Sequence, residues 1–125
     1  MKYKYYNPNP KRNQIGDCVI RALTMALGLS WKEVYVKLVL YGFRMSDMPS
    51  SNRVWGQMLE ENGFSRHAVE GDITVKEFAK ENPIGLFVLA TGSHVVTMIH
   101  GQYFDSWDSG DESVIYYFKE VNEFA

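Results

Sequence analysis

The chain holds one cysteine, Cys18, and three histidines among its 125 residues. Cys18, His94 and Asp105, in that order, are residue types that together can move an acyl group: a thiol nucleophile, an imidazole base and a carboxylate to orient the base. Cys18 follows Gly16-Asp17 at the start of a segment with helical periodicity. The free amides and dipole of a helix N-terminus favour a thiolate there. His94 opens the apolar run Val95-Val96-Thr97-Met98-Ile99 directly after the loop Thr91-Gly92-Ser93, where a base can face a cleft. His100 lies roughly 20 Å further along the same strand, beside Gly101, and is read as a turn residue. His67, next to Arg66 in a short strand-like stretch, is given no role. Two carboxylates compete for the orienting position. A hairpin turning at His100-Gly101 sets Asp105 opposite Val96 on the face of His94, whereas a turn at Gly101-Gln102 sets Asp108 opposite Val95. The first register makes Asp105 the stronger candidate.

A single thiol excludes an intramolecular disulfide and a multi-thiolate metal cluster within one chain. Asp105, Asp108, Asp111 and Glu112 crowd together, but their spacing fits no EF-hand loop. No metal site is read from them, and Asp108-Ser109-Gly110-Asp111 is expected to be a solvated turn. At 14.4 kDa, with 46% apolar and 22% charged residues, the composition is that of one globular domain, residues 1–125, with a single core. The halves differ in charge: residues 1–62 carry nine Lys and Arg against five Asp and Glu, and residues 63–125 carry four against ten. Two lobes that attract one another account for this, because a nucleic-acid binder concentrates its basic residues and Lys2, Lys4, Lys11 and Arg12 are too dilute. The N-terminus has no apolar signal region, and the longest apolar run, Ile84 to Ala90, is far short of the roughly 18–20 residues that span a bilayer. A cytoplasmic location, with neither a membrane nor a nucleic acid as partner, is the expectation.

The elements that must position these groups change period half-way along the chain. Residues 1–13, with Asn7-Pro8-Asn9-Pro10, read as an extended arm. A first helix spans Cys18 to Leu27, with Asp17 at the N-cap position and Gly28 as its stop. A second begins at the capping box Ser30 to Glu33 and runs towards Tyr41, with Gly42 as terminator. A third covers about Asn52 to Glu61. Trp31, Tyr35, Tyr41, Phe43 and Trp55, at helical spacing, are expected in the core. Met45, Asp47 and Met48, on the loop before the third helix, are the candidates for a substrate groove. Ser65 to Val69 reads as a short strand and Val75 to Lys80 as a short helix capped by Thr74. Strands follow at Ile84 to Thr91, His94 to His100, Gln102 to Trp107 and Val114 to Phe118. Helices first and strands after indicate an α+β fold with N-terminal helices packed on a C-terminal antiparallel sheet.

This order of residues resembles the papain-like cysteine peptidases. The cysteine stands near the domain start in Gly16-Asp17-Cys18-Val19-Ile20-Arg21-Ala22-Leu23, and His94 begins a strand as the base does in that superfamily. Asp105-Ser106-Trp107 is similar to the Asn-Ser-Trp found there, in which the tryptophan shields the bond between base and orienting residue. The small size and the aspartate in third place are similar to the compact bacteriocin-leader-processing peptidases and to small papain-like proteins of bacteria and phages. The resemblance implies cleavage of a peptide or isopeptide bond through a thioester, with Cys18, His94 and Asp105 as triad, Trp107 in support, and no cofactor; Asp17, at the N-cap position, and Asp108, the competing carboxylate, are the further supporting candidates. It departs from the family at position 12, an arginine where the family has a glutamine that donates to the oxyanion; Asn13 and Gln14 are the nearby amides. Two other activities use the same residue types: a papain-like binding module without turnover, and acyl transfer to an amine in the manner of transglutaminases.

Overall fold

A computed structural model describes residues 2–121. Among these residues four helices and six strands follow in the order β1 (Tyr3–Tyr5), α1 (Cys18–Leu27), α2 (Trp31–Met45), α3 (Asn52–Glu61), β2 (Phe64–Ala68), α4 (Val75–Glu81), β3 (Leu86–Ala90), β4 (Val95–Ile99), β5 (Gln102–Asp105) and β6 (Tyr116–Glu120). The fold is α+β. The strands form one sheet in the order β1-β5-β4-β3-β6-β2.

The antiparallel expectation holds for β2 to β6 and fails at one edge, because β1 pairs parallel to β5. Tyr3 and Tyr5 alternate with Lys2 and Lys4, a period-2 signal masked by the Asn-Pro repeat that follows. The arm is therefore a strand and then a series of tight turns: the side chain of Asn7 accepts from the amide of Asn9 at 3.2 Å, and that of Asn9 from the amides of Lys11 and Asn13 at 2.9 and 3.3 Å.

Side-chain alternation divides the core between the two faces of the sheet. Val88, Ala90, Val95 and Phe118 pack with α1, α2 and α3 around Leu23, Val34, Trp55 and Leu59. Phe87, Leu89, Val96 and Met98 pack with Phe78 and Val75 of α4. Helices thus cover both faces: α1, α2 and α3 on one, α4 on the other.

Local chemistry explains the boundaries. Both capping boxes form, Ser30 with Glu33 and Thr74 with Glu77, and Gly28 ends α1 in the left-handed region. The second helix does not stop at Gly42 but continues to Met45. Gly42 serves a close approach instead: a Cβ there would lie 2.8 Å from the carbonyl oxygen of Asp47 and 3.1 Å from the nitrogen of Pro49. Two of the aromatic residues expected inside are outside, Tyr35 at 49% and Phe43 at 83% exposure, while Trp55 is fully buried.

Candidate active site

Two elements bring the site together. The β4–β5 hairpin turns on His100 and Gly101, both with positive φ, and pairs Ile99 with Gln102. His94 immediately precedes β4 and Asp105 ends β5, so both sit at one end of the hairpin. Helix α1 packs along β4, tied by the Thr97 hydroxyl donating to the carbonyl of Ala22 at 2.6 Å. Cys18, one turn earlier at the first position of α1, arrives beside His94. Both line a cavity of about 230 Å³, with Gly16, Ser50, Asn52 and the loop Thr91-Gly92-Ser93 around them.

His94 Nε2 lies 2.6 Å from Asp105 Oδ2, which leaves Nδ1 for the thiol. Trp107 packs on the imidazole with ring centroids 4.7 Å apart. The electrostatics match this geometry. Burial pushes the His94 imidazole towards neutrality, but its bonds to Asp105 and Cys18 outweigh that and lift its pKa to about 9. Burial likewise pushes the Cys18 thiol up, and the hydrogen bond and charge of His94, the Val95 amide and the Arg21 charge together bring it below its ordinary value. Both shifts favour the thiolate–imidazolium form over the neutral pair.

Two residues missed in the sequence complete this network. Arg21, 4% exposed, reaches Asp105 Oδ1 with Nε at 3.2 Å and Nη2 at 3.0 Å, and Asp17 Oδ1 with Nη1 at 2.7 Å. Ser109 donates to Asp105 Oδ2 at 2.6 Å. The segment expected as a solvated turn is therefore buried at Ser109 and Gly110. An arginine within the apolar run of α1, one turn after Asp17, was the available signal for the first; nothing local announced the second.

The other candidate residues are placed as follows. Asp108 accepts from the Tyr103 hydroxyl at 2.6 Å and the Gly110 amide at 3.0 Å, away from His94. Asp111 pairs with Lys76. Asp17 holds the N-cap position of α1 without capping it; its carboxylate takes Arg21 and the Trp31 indole, at 2.8 Å. The first amides of α1 are thus left without an acceptor from the helix or the cap side chain. Asn13 and Gln14 are exposed and absent from the cavity wall, because the Asn7 and Asn9 turns hold that segment to itself. Met45 lines a neighbouring cavity instead, Met48 is 69% exposed, and Asp47 accepts from the Met48 amide and the Ser51 hydroxyl. The same loop does reach the Cys18 cavity, but through Ser50, joined by Asn52 at the start of α3. His100 Nδ1 accepts from the Gly85 amide at 3.1 Å, and His67 stacks on Tyr117.

Comparison of the chain with protein-family models, curated proteins and solved structures found no match. Among the described residues no helix is long and apolar enough to cross a membrane.

Proposed function

We propose that the chain is a small papain-like cysteine hydrolase acting on a peptide or isopeptide bond. The observation that carries this reading is the convergence of three groups: Cys18 and His94 line one cavity, and His94 Nε2 lies 2.6 Å from the buried Asp105. In the first half-reaction the Cys18 sulfur attacks the carbonyl carbon, and the His94 imidazolium gives its proton to the departing amine. A thioester remains and His94 is neutral. In the second half-reaction His94 takes a proton from water, the hydroxide displaces the sulfur, and the acid leaves with the thiolate restored. Asp105 fixes the tautomer and plane of His94, Arg21 and Ser109 fix Asp105, and Trp107 keeps water off the His94–Asp105 bond. The unclaimed amides at the N-terminus of α1 are the backbone donors for the oxyanion.

One observation favours a second reading, a binding module with the same architecture and no turnover. Neither Asn13 nor Gln14 reaches the cavity, and loss of one oxyanion donor typically costs about 10²–10³ in rate. A peptide mixture of diverse sequence, analysed by mass spectrometry for new termini, separates the two readings. The hydrolase reading expects cleavage that disappears in Cys18→Ala and yields hydroxamates when hydroxylamine is added. Intact peptides alongside a reactive Cys18 would select the binding module. Products formed only with an added amine would select acyl transfer of the transglutaminase kind.

A further inference from the structure

Helix α2 has two apolar faces and the chain uses one. Val34, Leu38 and Gly42 face the core, whereas Val36, Val39, Leu40 and Phe43 are 56%, 42%, 46% and 83% exposed on the outer face. Their spacing of i, i+3, i+4 and i+7 is that of a helix–helix seam. Apolar side chains gathered in this way on a surface mark an interaction site, unlike scattered single ones. We propose that this face pairs with the same face of a second copy, with the two α2 helices antiparallel about a two-fold axis between Val39 and Leu40.

The pattern is self-complementary in that sense. An isologous contact requires residue i to meet j while j meets i. Antiparallel pairing sets Val36 against Phe43 of the second copy, and Val39 and Leu40 around the axis. Charge selects the direction. Glu33, Lys37 and Arg44 lie on one flank of the stripe, with the acid in the first turn and Arg44 in the last. A two-fold axis across the helices brings that flank against itself with its ends exchanged. Glu33 of one copy then lies within a turn of Arg44 of the other, twice over. Glu33 gives Oε1 to the Ser30 amide at 3.0 Å, so Oε2 is available for this contact. A parallel two-fold pair sets opposite flanks together, so Glu33 and Arg44 would face the Tyr35 flank of the second copy and not each other.

Pairing also touches the neighbourhood of the thiol. Tyr35 and Val39 form the outer wall of an apolar cavity of about 250 Å³ that shares Gly16, Val19 and Ser50 with the Cys18 cavity. The inference itself rests on α2 alone and stands whether or not the thiol turns over.

A single helix pair is at or below the small end of specific interfaces. Sedimentation equilibrium over about 1 to 500 µM covers the range in which such a contact associates. The full chain is expected to shift from monomer to dimer in this range, and Phe43→Glu to remain monomeric with an unchanged circular dichroism spectrum. Arg44→Glu should weaken association by about tenfold, and Glu33→Arg combined with Arg44→Glu should restore it. In a Cys18→Ser background, Leu40→Cys should oxidise to a disulfide-linked dimer faster than Glu70→Cys. A chain that stays monomeric throughout, a dimer indifferent to Phe43→Glu, or a double charge reversal that fails to restore pairing would each overturn the proposal. If a monomeric chain instead captured an amphipathic helix from another protein, the face would be a docking site for that protein and the self-pairing would be wrong.

Discussion

Asp105 is fully buried and its two carboxylate oxygens are divided between tasks: Oδ1 takes Arg21 and the Ser106 amide, and Oδ2 takes His94 and Ser109. Arg21 in turn joins Asp105 to Asp17. Its removal would leave two buried carboxylates short of their cation, so Arg21→Met should destabilise the fold by about 3–5 kcal/mol in chemical denaturation. Ser109→Ala, which removes one hydrogen bond, should cost about 1 kcal/mol, with the larger effect on Cys18 reactivity. The shifted pKa values also set a pH dependence of stability. His94 is raised to about 9, so its share is fully present below pH 6.5 and is lost as pH rises through about 9. Cys18 is lowered, so its share is present above the ordinary thiol value of 9.0 and is lost as pH falls through the lowered one. The shares oppose each other between the lowered thiol value and pH 9. Thermal melts of the wild type should therefore fall less steeply with pH over this interval than those of Cys18→Ser, which loses the thiol share and keeps the part of the His94 share that Asp105 supplies. A parallel fall in both proteins would show that the thiol and imidazole are not coupled.

At the scale of elements, the site depends on how α1 and the β4–β5 hairpin end, and those ends were readable. Gly28, the two capping boxes and the His100-Gly101 turn each act through neighbours in sequence, so the bounds of α1 and the register that carries Asp105 towards His94 followed from short stretches. Gly42 was misread because a helix-stopping glycine and a glycine needed for close approach look alike in sequence; only the fold brings Asp47 and Pro49 against it. Gly42→Ala should therefore destabilise by about 1–3 kcal/mol, despite the better helix propensity of alanine. A gain in melting temperature for this variant would show that the α2–α3 loop yields freely. Met45, Asp47 and Met48 were placed in a groove for the general reason that loops carry specificity. That reason identified the loop but not Ser50 and Asn52, the residues its geometry turns towards the thiol.

Over the whole molecule, long-range contacts decided what local patterns left open. The parallel pairing of β1 with β5 joins the first residues of the chain to the strand that carries Asp105, and the Tyr3 hydroxyl donates to the Asp105 carbonyl at 3.1 Å. The burial of Ser109 and the clamp of Arg21 on Asp105 span separations that no local motif encodes. The second apolar face of α2 violates the expectation that aromatic residues at helical spacing are internal, and on our inference it does so because its partner is another copy. The contacts that hold Asp105 bear on one thiol, and its reactivity is the most direct measurement. Iodoacetamide alkylation of Cys18 should be followed at pH 6 and pH 8 in the wild type and in His94→Ala, with N-acetylcysteine as reference. The thiolate–imidazolium pair predicts a rate at pH 6 about 10- to 100-fold above the reference, little change at pH 8, and collapse of the pH 6 rate in His94→Ala. A native Cys18 no faster than the reference at pH 6, and unaffected by loss of His94, would contradict it.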